Sequence, residues 1–339
     1  MKVINFRFKK NIIPCVFCLF IIFLVAFSNQ NLIASKNGLI LWATCLVPSL
    51  FPFLVATELL NYTNIPNKLG NIFSKIMYPI FNLPGESAYA FIMGIICGYP
   101  VGAKIVSKFY SENTCTKEQA ERMLAFTNNS GPLFIIGTVG ISLFCNFDIG
   151  ILLFCTHILS SISVGVIFSL ISRFKALKTK THPIEYRNCN PSCSLSSLGD
   201  ILSNSINSAI STILLIGGFV ILFSVVICII NNLNILNYFS NLFGNYSLFV
   251  KTFFTGIIEL TNGVDLCSDI SGLLNIRIVL CSVLLGFGGF SVMLQILSII
   301  SKAQLSIKWY LYGKILQGIF AGVYTYILLN SFIWRFFYG

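Results

Sequence analysis

The stretch Phe91–Gly102, FIMGIICGYPVG, has a partner at Phe253–Gly263, FFTGIIELTNG. Both open as Phe-x-x-Gly-Ile-Ile, an apolar helical start. Both then run into helix-breaking residues: Gly98-Tyr99-Pro100-Val101-Gly102 in the first copy, Thr261-Asn262-Gly263 in the second. Proline removes a backbone donor and glycine frees the backbone, so each helix is predicted to unwind there. At membrane depth, unwound backbone is tolerated only where protein buries it or it lines a wet cavity. Interrupted segments in corresponding positions of two halves point to a substrate site between the halves.

The composition supports a membrane setting. Of 339 residues, 56% are hydrophobic and 10% charged, with a mean hydropathy of +0.85. A soluble domain carries about 25% charge. Several apolar runs reach the ~20 residues that cross a bilayer, and they are continuous rather than alternating, which disfavours a β-barrel. Lys and Arg number 22 against 11 Asp and Glu, a net charge of +11. In a membrane protein that excess reads as cytoplasmic loops facing anionic lipid, not as nucleic-acid binding; attraction of an anionic substrate is the alternative. Most cysteines, Cys97, Cys228 and Cys281 among them, sit in apolar runs and act as small hydrophobes. Cys189, Cys193 and His182 are too sparse for zinc, so neither a metal nor a cofactor is expected. No nucleophile–base constellation is present, and the chain does not read as an enzyme.

In chain order, Lys2, Arg7, Lys9 and Lys10 precede an apolar run from Asn11 to Phe27. It reads as an uncleaved first helix with a cytoplasmic N-terminus, in preference to a signal peptide, although Ala26-Phe27-Ser28 resembles a cleavage site. Gly38–Leu60 is the second span, kinked at Pro48 and Pro52. Asn61–Pro84 is an amphipathic linker at the cytoplasmic interface. Gly85–Tyr110 is read as a re-entrant hairpin, with Glu86 and Ser87 placed to cap its first arm. Thr116 and Gln119 form a capping-box pattern that starts a helix near Lys117. That helix meets Thr127-Asn128-Asn129-Ser130-Gly131-Pro132 in mid-span, a second break, with interhelical hydrogen bonding as the bland alternative. Ile149–Ile171 spans back, with His157 read as a packing residue. A basic loop (Arg173, Lys175, Lys178, Lys180, Arg187) then separates the halves. The second half has a long helix (Leu198–Ile230), a linker (Asn231–Leu248), an interrupted element (Val250–Leu266), a span (Leu273–Ile300) with Gly286–Ser291 in its middle, and a last span (Trp309–Leu329).

Glycines and aromatics recur at a spacing of about 162 residues. Phe91 and Gly94 match Phe253 and Gly256; Phe126 and Ser130 match Phe287 and Ser291 at one residue less. The fold class is thus an all-α polytopic membrane protein of about seven spans plus two re-entrant or broken-helix elements. These form an inverted repeat, since each half crosses an odd number of times. The expected division is an anchor helix (1–36), a first repeat (37–172), the basic loop (173–197) and a second repeat (198–339).

The motifs Cys97–Lys104 (CGYPVGAK) and Phe126–Pro132 (FTNNSGP), with Leu46–Phe53 (LVPSLFPF), resemble one known family. They are similar to the sporulation integral membrane proteins of the YlbJ (SpoVV) type, which carry the nucleoside-recognition Gate domain of nucleoside permease-like proteins. The resemblance covers nearly all of the chain after Lys36. It implies a permease made during sporulation, associated with passing dipicolinate out of the mother cell across the outer forespore membrane.

Dipicolinate is a flat aromatic dianion, which wants helix N-termini, a cation and an aromatic face. The candidate substrate-binding residues are Gly98, Tyr99, Pro100, Gly102, Lys104, Asn128, Asn129, Ser130, Thr261, Asn262, Gly288 and Ser291. Lys104 would supply charge, Tyr99 a stacking face, and Asn128, Asn129 and Ser130 hydrogen bonds. Glu259 and Asp265 are candidates for coupling or gating. Glu259 would bind a proton or cation, or pair with Lys104 in the empty state. The expected partners are a small anionic substrate, the bilayer and a coupling proton or cation; a homo-oligomer is left open. A nucleoside permease and a non-transporting assembly protein of sporulation are the alternatives.

Overall fold

The computed structural model describes residues 2–179, 197–270, 272 and 274–331, and among them every regular element is helical. The first half contains α1 (Lys2–Ala26), α2 (Ser28–Leu41), α3 (Val47–Leu60), α4 (Ile65–Ile76), α5 (Ser87–Cys97), α6 (Val101–Ser111), α7 (Lys117–Thr127), a wide π-helix (Leu133–Leu143) and α8 (Phe147–Thr179). The second contains α9 (Leu198–Asn232), α10 (Ile235–Asn241), α11 (Ser247–Ile258), α12 (Leu260–Asp269), α13 (Leu274–Phe287), α14 (Gly289–Ile300) and α15 (Lys308–Asn330). Among the described residues three stretches are long and apolar enough to cross a membrane: Phe147–Lys175, Leu198–Asn232 and Leu274–Ala303. The pair formed by α1 and α2, bent by 98°, raises this to four. Other apolar pieces, such as Val47–Leu60 and Leu133–Leu143, are shorter, because breaks divide the runs that the sequence presents as single spans.

The bend after α1 is held by Asn31, whose amide donates to the carbonyls of Phe23 and Leu24 at 3.0 and 3.3 Å. These are among the carbonyls that a helix end leaves unpaired. Helix α2 runs through a π-turn, Trp42–Leu46, into α3. The helix that carries the expected second span therefore starts at Ser28 rather than Gly38, and its irregularity precedes Pro48. A π-turn shifts the hydrogen-bond ladder, and Pro48, in the first turn of α3, has no N–H to lose. This span packs along α9, where the Trp42 indole N–H donates to the Ile213 carbonyl at 2.9 Å and the ring fills the space above Gly217.

The interrupted elements are of two kinds. Helices α5 and α6 fold back on each other as a hairpin: a Cβ on Gly94 would lie 3.6 Å from the Gly102 Cα. Helices α11 and α12 do the same, with Gly256 and Gly263 in backbone contact. By contrast, α13 and α14 continue as one broken span, interrupted at Gly288. Helix α7 is interrupted at 128–132, and the π-helix follows. The contacts are reciprocal: α6 packs on α14 and α12 on the π-helix, while α7 packs on α15 and α13 on α8.

Two expected details are corrected. The second hairpin turns at Glu259 (φ −143°, ψ 121°), and Thr261-Asn262-Gly263 form the first turn of α12. The cause is capping: Glu259 is extended so that its carboxylate can accept from the Asn262 backbone N–H and amide, both at 2.8 Å. Glu86 and Ser87 do not cap α5 through their side chains; the Ser87 hydroxyl donates instead to the Pro84 carbonyl at 2.5 Å. The Thr116/Gln119 capping box forms as the sequence predicts, and α7 begins at Lys117. One end of the molecule gathers basic groups: Arg173 donates to the Tyr78 carbonyl at 3.0 Å, and Lys175 lies 5.0 Å from the Trp309 ring centroid. Arg173, Lys175 and Lys178 thus belong to α8 rather than to the expected loop, and residues 180–196, with His182, Cys189 and Cys193, lie outside the described residues.

Candidate functional site

Three of the breaks open on one cavity of about 710 Å³ of empty space, part of it open to solvent, while the fourth, at Gly288, does not line it. Gly98 and Tyr99 enter from the first hairpin, Ser130 and Gly131 from the α7 break, and Glu259 and Thr261 from the second hairpin. Gln295 adds an amide from α14. The opposite wall is apolar: Leu46, Leu50 and Phe53 of the irregular second span face Ile216 and Val220 of α9. Such a space suits a ligand with an apolar body and a few polar atoms at one end.

The backbone at the breaks is tightly apposed. Gly98 has φ +77°, and a Cβ there would lie 3.0 Å from the Gly131 nitrogen, so glycine serves both the conformation and the approach. The Tyr99–Pro100 peptide is cis. Gly288 has φ +84° and lies under the Tyr99 hydroxyl, which a Cβ there would approach to 2.8 Å. Tyr99 packs against both hydrophobic clusters of the protein, one centred on α5–α7 and one on α12–α13.

The two asparagines hold this arrangement and do not line the cavity. Asn128 Oδ1 accepts from the Ala103 N–H at 2.6 Å, pinning the start of α6, while its Nδ2 donates to the Leu124 carbonyl at 3.0 Å. Asn129 Oδ1 accepts from Gln317 Nε2 at 2.9 Å, and its Nδ2 donates to the Phe126 carbonyl at 2.8 Å. The Ser130 N–H donates to His157 Nε2 at 3.2 Å, so His157 anchors the break from α8. Gly102 lies so close to the break that a Cβ would sit 3.0 Å from Asn128 Oδ1. Pro100 is buried beside it, and Ser291 is buried with no hydrogen-bond partner for its hydroxyl.

Lys104 is elsewhere. It forms an ion pair with Glu58 at 2.5 Å and donates to the Ser208 and Thr212 hydroxyls at 2.7 and 3.1 Å. It does not pair with Glu259, because α6 carries its side chain toward α3 and α9. There it lines a second cleft of about 1180 Å³ with Lys108, Lys302, Ser107, Ser211 and Ser298. Asp265 is exposed on α12 and does not line the main cavity. Among the described residues no group of three or more His, Cys, Asp or Glu side chains is placed to hold a metal.

Lys314 and Gln317 of α15 were not singled out in the sequence, yet they tie the breaks together. Lys314 Nζ donates to the Asn128 carbonyl, to Gln317 Oε1 at 2.7 Å and to Tyr99 Oη at 3.3 Å. The signal was available: two polar residues one turn apart inside an otherwise apolar span.

Discontinuous helices gathered around a cavity in a multi-pass helical bundle define an integral membrane protein with the architecture of a small-molecule site. Residues 43–174 match the Gate family, described as nucleoside recognition. The chain is also similar to the sporulation integral membrane protein YlbJ of Bacillus subtilis (strain 168). The two are 32% identical over 317 residues, which covers 87% of this chain and 76% of the relative. The chain belongs to the YlbJ family of sporulation integral membrane proteins. No solved structure matches it.

Proposed function

We propose that the chain is a permease working in the membrane during sporulation, and that it moves dipicolinate from the mother cell across the outer forespore membrane. The observation that carries this reading is the cavity shared by both hairpin turns and the α7 break, with α14 contributing Gln295. The recurring order of elements supports two halves related as an inverted repeat, with the site at their interface. The relative's name supports the sporulation setting. The apolar wall and Tyr99 suit a planar aromatic body. The cleft with Lys104, Lys108 and Lys302 lies further along α9 and would concentrate a dianion before it enters. Within the cavity itself, Ser49, Ser130, Thr261 and Gln295 are neutral polar side chains that could meet carboxylate oxygens. Asn128, Asn129 and Asn262 shape the breaks rather than touch the substrate. No reaction is proposed, since transport needs no bond to be made.

A nucleoside is the second reading. Glu259 and neutral hydrogen-bonding groups line the cavity, with no basic side chain among the lining residues, and the Gate description names nucleosides. Uptake of labelled dipicolinate and of uridine into liposomes holding the purified protein separates the two. Dipicolinate uptake that Tyr99→Ala abolishes is the expected result. Uridine uptake alone would replace the dianion reading. Uptake of neither by folded protein would favour an assembly role.

A further inference from the structure

Behind Tyr99 the fold buries a lysine side chain. Lys314 stands in the middle of α15 and is 1% exposed. Its three hydrogen-bond acceptors are neutral oxygens: the Asn128 main-chain carbonyl, the Gln317 amide oxygen and the Tyr99 hydroxyl. The Tyr99 and Tyr310 ring centroids lie 5.1 and 5.8 Å from Nζ. Among the described residues no carboxylate forms an ion pair with it.

An ammonium without a counter-ion is costly to bury, so its surroundings must replace water. Here they do so as a site for a desolvated monovalent cation would. The Asn128 carbonyl stands just past the last turn of α7, where the helix dipole is negative and the broken ladder frees main-chain oxygens. Carbonyls of unwound helices are the usual ligands of coupling cations in transporters built from broken helices. The amide oxygen, the hydroxyl and the aromatic faces complete the shell. The Gln317 amide group faces both ways: its oxygen takes the ammonium, and its nitrogen donates to Asn129 Oδ1 in the same break.

We propose that Lys314 is a tethered cation. Its ammonium fills a monovalent-cation site built by the α7 break, and so joins that break to Tyr99 of the first hairpin without a free ion. This goes beyond the permease reading and does not depend on it, since the site exists whether or not the chain transports anything.

The test is thermal unfolding of the purified full-length protein in detergent, in NaCl, KCl, methylammonium chloride or choline chloride at equal ionic strength. The wild type should unfold at the same temperature in all four. Lys314→Ala vacates the ammonium position and leaves the three oxygens. Its unfolding temperature should fall by about 5 °C or more in choline. Na+ or methylammonium should restore it, and choline, too large to enter, should not. Restoration by no cation, or by all of them equally, overturns the proposal. So does failure of Lys314→Ala to yield folded protein when it is purified in high Na+ or methylammonium. Lys314→Met supplies a second measure: it fills the volume without the charge and should be destabilised with no rescue. A Met variant as stable as the wild type would show the ammonium to be replaceable by an apolar chain, and would also overturn the proposal.

Discussion

At the second hairpin two glycines meet, and the structure predicts unequal outcomes for the same substitution at each. A Cβ on Gly263 would collide with the backbone of Gly256, which cannot turn aside. A Cβ on Gly256 would meet the two terminal methyl carbons of the buried Leu284, at 2.5 and 2.7 Å, and a side-chain end yields at less cost than backbone. Carbon atoms pack best at about 3.5–4.0 Å, so Gly263→Ala must push the arms apart by more than ~1 Å. Overpacking costs about 1–3 kcal/mol, and a backbone clash stands at or above the upper end. The gain in helix propensity from Gly to Ala, about 1 kcal/mol, offsets part of it. The expected net loss is about 2 kcal/mol or more for Gly263→Ala and within about 1 kcal/mol of zero for Gly256→Ala. Gly218→Ala on α9 is the control: nothing lies within 4 Å of its Cβ, so propensity alone should act. Thermal unfolding in detergent ranks the three. Because Gly263 lies one turn from Glu259, Gly263→Ala should also lose substrate binding. Equal unfolding temperatures for Gly263→Ala and Gly218→Ala would refute the hairpin geometry and the place of Glu259 in the cavity.

Asn128→Ala leaves the buried Ala103 N–H and Leu124 carbonyl unpaired, a loss of about 2–6 kcal/mol at ~1–3 kcal/mol per buried group; denaturation of the variant beside the wild type measures it. Glu58→Gln removes the carboxylate that holds Lys104, so the cleft should bind anions more tightly, and dipicolinate uptake should show a lower KM that rises steeply with salt. Trp42→Phe keeps the ring over Gly217 but loses the bond to the Ile213 carbonyl, which should cost about 1 kcal/mol and leave uptake intact.

The breaks were legible because glycine and proline mark them directly. The FTNNSGP motif lies at the interruption after α7, and Gly94 and Gly256 both stand where a Cβ would collide, the first with the Thr127 carbonyl and the second with Leu284. The register of the second break was not legible. Thr261-Asn262-Gly263 looks like a breaker, but an acidic residue followed at its third position by a backbone donor is also a helix cap, and the cap won. Lys104 was placed at the first break by its closeness in sequence to Gly98. Helical geometry turns it toward Glu58, a partner that sequence distance hides. Lys314 was lost inside a span read as apolar, and nothing local announces that the carbonyl of Asn128 waits for it.

The first hairpin returns the chain to the side from which it came. Arg122, midway along α7 and buried, reaches back to the carbonyls of Phe81 and Asn82 at 3.4 and 2.9 Å, so the stretch before α5 and the helix after α6 are joined at the same end of the hairpin. A membrane-impermeant label should therefore treat engineered cysteines at Asn64 and Asn113 alike, reaching both or neither in intact vesicles. A hydropathy plot that counts the 87–111 region as a crossing would assign them to opposite compartments, and would invert every loop that follows.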